Sequence, residues 1–484
     1  MLQIVNLAHS YRADDGGVYY FRQVGSEVYG FGEEKNGAFA LVFRGRRSAG
    51  LVSGQWFHVP KGDAQSSGEL SFLVSEGGTV LSKISATGDL AATSWLSCSV
   101  VPRIFPDPND HDGDEPNVDP PSVPSPCDAL RADSAPRKAR FQATGPEDLT
   151  GTWRGDDDLF YYVRQAGSDL VWVGESASRT NVFFGSRDEL SIDGFSLDLP
   201  KGTGNAFGPL TLSLRDDAVF GSGVIDKVEG TGPARLSRFE TLEVDLRLTQ
   251  LRVVAREERR GGGDEPFLWS AFVKLDGDTV DLSTITSETF GDLFTALDNS
   301  SSVVVSTSGS HHNITSRNNV AAGEQLPIPD RVGRFQTQLR TIRGLDPNVP
   351  LQLPGKNQPT AKELTTLGLV VVAWEQDGLK DASIEAGRTA LVDTLREEID
   401  QALATANFTD FSALEEPIAE AVEAAIRDAE GFVLNPDDLL GFAFQKFSYE
   451  ELAASNGQIP LSFRFTGSAD HPADYRVAGT LKVS

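Results

Sequence analysis

The chain has 484 residues, 39% of them hydrophobic, with 28 Phe, 8 Tyr and 6 Trp, which is enough to fill several cores and too much for a disordered chain. A formal charge of −27 argues against a nucleic-acid partner, which needs a basic stripe to release counterions, and equally against an anionic membrane surface. No apolar run approaches the roughly 18 residues of a membrane helix, so no membrane span is expected.

Met1-Leu2-Gln3-Ile4-Val5-Asn6 offers no basic segment followed by an apolar core, so no signal peptide is expected. The expected location is cytoplasmic, or outside by a signal-peptide-independent route. Beyond it, Val18–Val24, Glu27–Phe31, Phe39–Phe43, Leu51–Val59, Leu70–Val74 and Val80–Ile84 alternate or are aromatic and are separated by Gly and polar turns. Six to eight short strands in a meander are best closed on themselves, which removes their edges. Residues 1–101 are therefore read as a small antiparallel β-barrel.

Residues 102–146 read as an acidic, proline-rich linker, with Pro106-Asp107-Pro108-Asn109-Asp110-His111-Asp112-Gly113-Asp114-Glu115-Pro116 at its centre. Asp110, Asp112 and Asp114 match the start of a calcium loop, but Glu115 stands at the turn glycine and Pro121 at the bidentate glutamate. Cys98 precedes this linker and Cys127 lies within it; one bridge or two free thiols both fit.

The barrel pattern then recurs over 147–240. Tyr19-Tyr20-Phe21-Arg22-Gln23-Val24-Gly25-Ser26 returns as Tyr161-Tyr162-Val163-Arg164-Gln165-Ala166-Gly167-Ser168, a shift of 142. After a two-residue gap the shift is 140 and pairs Pro60-Lys61-Gly62 with Pro200-Lys201-Gly202. This is a duplicated module. Residues kept between copies are first of all fold determinants, so Arg22 and Arg164 are expected to close one barrel end, bonding carbonyls or stacking on Trp153 or a tyrosine. The functional reading makes Tyr20, Arg22, Tyr162, Arg164 and Trp172 a shallow ligand face. The Pro-Lys-Gly triplets read as turns.

The last region, 241–484, is mixed. Leu242, Val244, Leu246 and Leu248 alternate, Phe267–Leu275 and Ser302–Val305 read as strands, and Leu367–Trp374 reads as a central, doubly covered strand. Ile384 through Leu403 recur at helical spacing, and Ser412-Ala413-Leu414-Glu415 is a capping box opening a second helix. Asn435-Pro436-Asp437-Asp438 is expected to cap a short third helix that Gly441 stops, before strands at Leu461–Phe465 and Tyr475–Val483. The expected domain is α+β, a β-sandwich with a helical insert packed on one side, which makes the whole chain a mainly β, multi-domain protein.

Leu149-Thr150-Gly151-Thr152-Trp153, a Gly-x-Trp on a first strand before a meander, resembles the calycin group of lipocalins and avidins. The first copy has His9-Ser10-Tyr11 there. The resemblance implies a small lipocalin/avidin-like barrel, with room for side chains or one small ligand. Asp264-Glu265-Pro266-Phe267, Gly309-Ser310-His311-His312 through Arg334-Phe335, and Val371-Val372-Ala373-Trp374-Glu375 resemble a domain of uncharacterised bacterial proteins. That resemblance implies company with Tyr-Tyr-x-Arg-Gln modules and a link to contractile injection systems; it supplies no activity.

No Walker loop, Gly-x-Ser-x-Gly or His-Glu-x-x-His sequence is present. His311 and His312 are adjacent without an indicated third ligand. Acids at predicted strand ends, Asp264, Glu265, Asp276, Asp278 and Asp281, with Glu375 and Asp377, could hold calcium on apical loops of a sandwich, or form a solvated acidic surface. No cofactor is expected beyond such a calcium ion. The expected function is a non-enzymatic binding or docking protein with a protein or glycan ligand. The alternatives are an effector or cargo of a contractile injection-type system, active in its C-terminal domain, and a glycan-active hydrolase using scattered carboxylates.

Overall fold

A computed structural model of the chain describes residues 7–98, 127, 148–201, 204–215, 220–221, 223–255, 264–306, 313–316, 319–351, 360–375, 381–404, 415–430, 439–455, 457–467 and 473–484. They fall into two compact units, one within Met1–Asp216 and Val224–Ser237, the other within Asp217–Gly223 and Arg238–Ser484. Apart from Cys127, the expected linker at 102–146 lies outside the described residues, as do His311, His312, Asp377, Ser412 and Asn435–Asp438.

The first unit holds two closed antiparallel barrels of eight strands each. Barrel one contains β1 (Ala8–Ala13), β2 (Val18–Val24), β3 (Glu27–Glu33) and β4 (Ala40–Ser48). It is completed by β5 (Leu51–His58), β6 (Ser67–Val74), β7 (Val80–Ala86) and β8 (Ser94–Ser97), and β8 pairs back onto β1. Barrel two contains β9 (Gly151–Gly155), β10 (Phe160–Ala166), β11 (Asp169–Glu175) and β12 (Thr180–Asp188). It continues with β13 (Ser191–Asp198), β14 (Phe207–Leu214), β15 (Val224–Gly230) and β16 (Arg235–Phe239). Both are the expected meanders.

Alternation along each strand decides what fills the barrels. Tyr19, Phe21, Phe43, Trp56, Phe72 and Trp95 pack inside barrel one, and Trp153, Tyr161, Trp172, Phe183, Leu210 and Leu212 inside barrel two. The interiors are packed cores. Gly32 and Gly174 are the same in both copies because a Cβ there would lie 2.4 Å from the ring of Tyr19 or Tyr161. The phenols end on carboxylates, Tyr19 on Asp15 at 2.7 Å and Tyr161 on Asp157 at 2.8 Å.

The copies solve one packing problem differently. Barrel two has Trp172 on β11 and Ser196 on β13, whereas barrel one has Gly30 on β3 and Trp56 on β5. Each barrel thus has one indole in this region, contributed by a different strand.

The second unit is a sandwich. One sheet joins β17 (Thr241–Ala255), β20 (Gln325–Pro327), β21 (Arg334–Arg340), β24 (Gln458–Thr466) and β25 (Asp474–Val483). The other has the order β19 (Val303–Ser306), β18 (Pro266–Leu275), β22 (Thr366–Glu375), β23 (Leu439–Ser448). Every residue of β18 and β22 is buried. Leu268, Phe272, Leu369 and Val371 face the opposite sheet. Trp269, Val273, Val370 and Trp374 face the long helices α4 (Asp381–Ala404) and α5 (Glu415–Glu430) through Ile384, Leu391, Leu395, Ile418, Val422 and Ile426. This is the expected helical cover. The short helices α1 (Leu293–Asp298), α2 (Asp330–Gly333), α3 (Ala361–Leu364) and α6 (Tyr449–Ala454) lie in connections.

One expected element differs. Gly441 does not stop a helix; it lies in β23, at φ +139° beside a register shift opposite Ala373 and Trp374. The bulge turns the strand over, so that Leu440 and Ala443 both face the inter-sheet core although three residues apart. A helix cannot pair with β22, and pairing wins over the capping signal.

Candidate functional site

The repeated motif acts in four ways, one for each direction its side chains take. Tyr19 and Tyr161 point inward. Gln23 and Gln165 hold the hairpin that Gly-Ser closes, donating to the carbonyls of Gly25 at 2.7 Å and Gly167 at 3.1 Å. Tyr20 and Tyr162 are buried with Val18, Val42, Val173 and Val182 in an apolar layer drawn from both barrels. The arginines reach across. Arg22 Nη1 donates to the carbonyl of Asp198 at 2.6 Å and that of Ala206 at 3.3 Å. Arg164 Nη1 donates to the carbonyls of His58 and Ser66, both at 2.8 Å.

Shifting by 140 carries His58 onto Asp198 and Ser66 onto Ala206, so the two contacts are the same contact made twice. The barrels pair as an isologous dimer does, within one chain. Trp172 is instead inside barrel two, its Nε1 donating to Asn181 Oδ1 at 3.1 Å.

The centre of this seam is charged. Lys61 Nζ lies 2.6 Å from Glu33 Oε2, and Lys201 Nζ lies 2.6 Å from Glu33 Oε1. Both lysines also pair with Glu175, one on each oxygen. Two carboxylates and two ammonium groups form a closed neutral square, 1% exposed at the glutamates and 2% and 8% exposed at the lysines. The ring of Phe31 lies 5.4 Å from each lysine nitrogen. Cys98 and Cys127, disulfide-bonded with Cα atoms 5.8 Å apart, join the same buried layer.

Pro60-Lys61 and Pro200-Lys201 lie in turns, as expected, but sequence reasoning missed the square their lysines form. The signal was present: a turn needs no lysine at the same place twice, and Glu33 and Glu175 are also related by the shift of 142.

These groups give the first unit a pH window. Burial alone would raise the Glu175 carboxyl, but Lys201 and Lys61 overcome that and hold it at about 2, below its ordinary 4.5. Its contribution is therefore complete above 4.5 and lost as pH falls toward 2. The Lys201 ammonium is raised despite burial, by Glu175 and Glu33, so its contribution is complete below 10.5 and lost at higher pH. Burial, helped by the Arg164 charge, pushes the His58 imidazole down to about 4 from 6.5. Its buried Nδ1 has no hydrogen-bond partner among the described residues. Stability from a neutral His58 is complete above 6.5 and drains between 6.5 and 4. Denaturation of the full chain across pH is expected to show unit one weakening below 6.5. His58→Leu should flatten the slope between 6.5 and 4 and leave the loss below 4.5.

At one lip of the seam a groove of about 430 Å³ opens. Arg44, Gln55 and Phe57 of barrel one line it, facing Val171, Phe184 and Phe195 of barrel two, with Asp169, Ser186 and Asp193 also at its walls. Arg44 lies 3.6 Å from Glu27. A depression of about 720 Å³ in the second unit is lined by residues already bonded, Asp245 to Arg334 at 2.9 Å and Glu243 to Gln338 at 2.5 Å.

The candidate calcium acids are split. Asp264 and Glu265 precede β18 while Asp276 and Asp278 follow it, about 30 Å away along ten extended residues. Asp264 accepts from the Tyr475 hydroxyl at 2.9 Å, and Glu375 accepts from the Glu265 amide at 3.2 Å. Asp276 and Asp278 share Lys274, each at 3.0 Å, and Asp278 also pairs with Arg340. Among the described residues no three His, Cys, Asp or Glu side chains converge as a metal site, and no helix is long and apolar enough to cross a membrane. Compared with models of known protein families and with curated proteins, the chain matches none.

Proposed function

We propose that the protein is a non-enzymatic binding protein whose two barrels act as one rigid body and take a protein or glycan ligand at the seam groove. The observation that carries this reading is the groove itself, an indentation of about 430 Å³ walled by both barrels, with aromatic, amide, hydroxyl and charged groups converging on it. The packed interiors favour a surface site, since aromatic side chains occupy the space a lipocalin-like barrel would give to a ligand. The ion pairs and crossed arginines of the seam hold the two walls at fixed spacing, which lowers the ordering cost of binding.

Panning the full-length protein against a random-peptide library and a glycan array tests the reading. It expects a ligand recovered chemically unchanged after long incubation, with affinity cut at least about tenfold by Ser186→Trp, which fills the groove. Turnover of the ligand, or binding indifferent to that change, contradicts it.

A further inference from the structure

The groove exists because the two copies differ at one row of residues. On barrel one, Tyr29 pairs with Arg44 and Arg44 with Gln55; on barrel two the matching row is Val171, Phe184, Phe195. Tyr29 crosses the seam, its ring centroid 5.7 Å from Phe195 in a stacked arrangement and 6.0 Å from Phe184. The Arg44 guanidinium sits 5.8 Å from the same ring. By the same pairing Val171 crosses toward Arg44 and Gln55, but it has no ring to place there. Val171, Arg44 and Gln55 all line the groove that opens at this place.

Pairing itself is carried by residues common to both copies: Arg22 and Arg164, Lys61 and Lys201, Glu33 and Glu175. The row that differs adds the Tyr29–Phe195 and Tyr29–Phe184 contacts on one side of the seam, while on the other side its residues line the groove.

Resting on the binding reading above, we propose that the groove receives an aromatic side chain presented by a partner polypeptide, with Tyr29 as the chain's own image of the bound ring. A ring entering there meets Phe184 and Phe195 in offset or edge contact, a cation at Arg44 and an amide at Gln55. The rim adds charge selection. Arg44 is offset by Glu27, whereas Asp193 accepts from the hydroxyls of Ser191 at 3.1 Å and Thr211 at 2.7 Å, which leave its negative charge in place. With Asp169 exposed beside it and a chain at −27, the favoured ligand carries a basic residue next to the aromatic one.

The test uses the full chain and N-acetyl-tyrosyl-arginine amide, read by saturation transfer to the phenol ring protons. Transfer consistent with a Kd of about 1 mM or tighter is expected for the native protein, and its loss for Val171→Tyr, which fills the slot from within. Because Tyr29 already occupies the equivalent position, Val171→Tyr should keep the native melting temperature. Undiminished transfer to the Val171→Tyr protein overturns the proposal, as does a melting point more than about 5 °C lower, since the slots would then not be equivalent. If the dipeptide is silent but chitotriose or maltotetraose gives transfer that Ser186→Trp abolishes, the ligand class is wrong and the binding reading stands. Silence from all three probes removes both.

Discussion

Lys61→Met is expected to destabilise the N-terminal unit by about 3–5 kcal/mol, a large part of the stability of an ordinary domain. The reason is what remains. Lys61 neutralises half of the charge on Glu33 and Glu175, both of which are 1% exposed. Without it, two buried carboxylates share Lys201 alone, and one negative charge stays out of water with no counter-charge. The attraction lost matters less than the solvation that the stranded carboxylate cannot regain. Replacing all four residues by apolar side chains of similar volume should therefore be nearly neutral, or stabilising by about 1–4 kcal/mol, because the desolvation cost disappears with the charges. Scanning calorimetry of the full chain distinguishes the two variants. If both lose equally, the square is not an isolated buried network.

Trp172→Ala is expected to cost about 3–5 kcal/mol through the cavity it leaves in barrel two. The indole is fully buried, stacks on Phe183 with centroids 4.0 Å apart, and satisfies the side chain of Asn181. A sharper form of the experiment uses the difference between copies. Barrel one places glycine at the equivalent position and puts its tryptophan at position 56 instead, so Trp172→Gly combined with Ser196→Trp should recover part of what Trp172→Gly loses. Recovery by calorimetry would show that the two barrel interiors are interchangeable solutions. A double variant no more stable than Trp172→Gly would show that they are not.

Much of this architecture is legible in the sequence, for physical reasons that differ by element. β2 runs over the expected Val18–Val24 because its alternation and the Gly-Ser hairpin both fix its ends. β22 is buried throughout because an unbroken apolar run can sit only between two covers. β8, β20 and β21 were not anticipated: they are short or polar, and barrel closure or a neighbouring strand, not their own pattern, makes them strands. At Gly441 a local stop signal lost to the pairing of β23 with β22, a contact more than sixty residues distant in the chain.

The candidate site was half legible. Repetition pointed to Arg22 and Arg164, and their partners are backbone carbonyls that no side-chain pattern announces. Tyr20 and Tyr162 face outward from their own barrels, as strand parity requires, and what covers them is the other barrel. Outward aromatics in a strand read equally well as a ligand face or as an interface. Only the reciprocal contact distinguishes the two. The groove was invisible because it depends on a difference between copies, Tyr29 against Val171, whereas repeat analysis draws attention to identities.

The pairing of the barrels through the charged square is tested most directly by a double-mutant cycle between Lys61 and Glu175, which belong to different barrels. Lys61→Met, Glu175→Gln and the double variant are each unfolded as the full chain near pH 7.5. The predicted coupling is about 2 kcal/mol or more, since each single change strands a partner that the double change releases. Coupling within about 0.5 kcal/mol of zero would mean that the two residues act independently and that the barrels are not joined through this square.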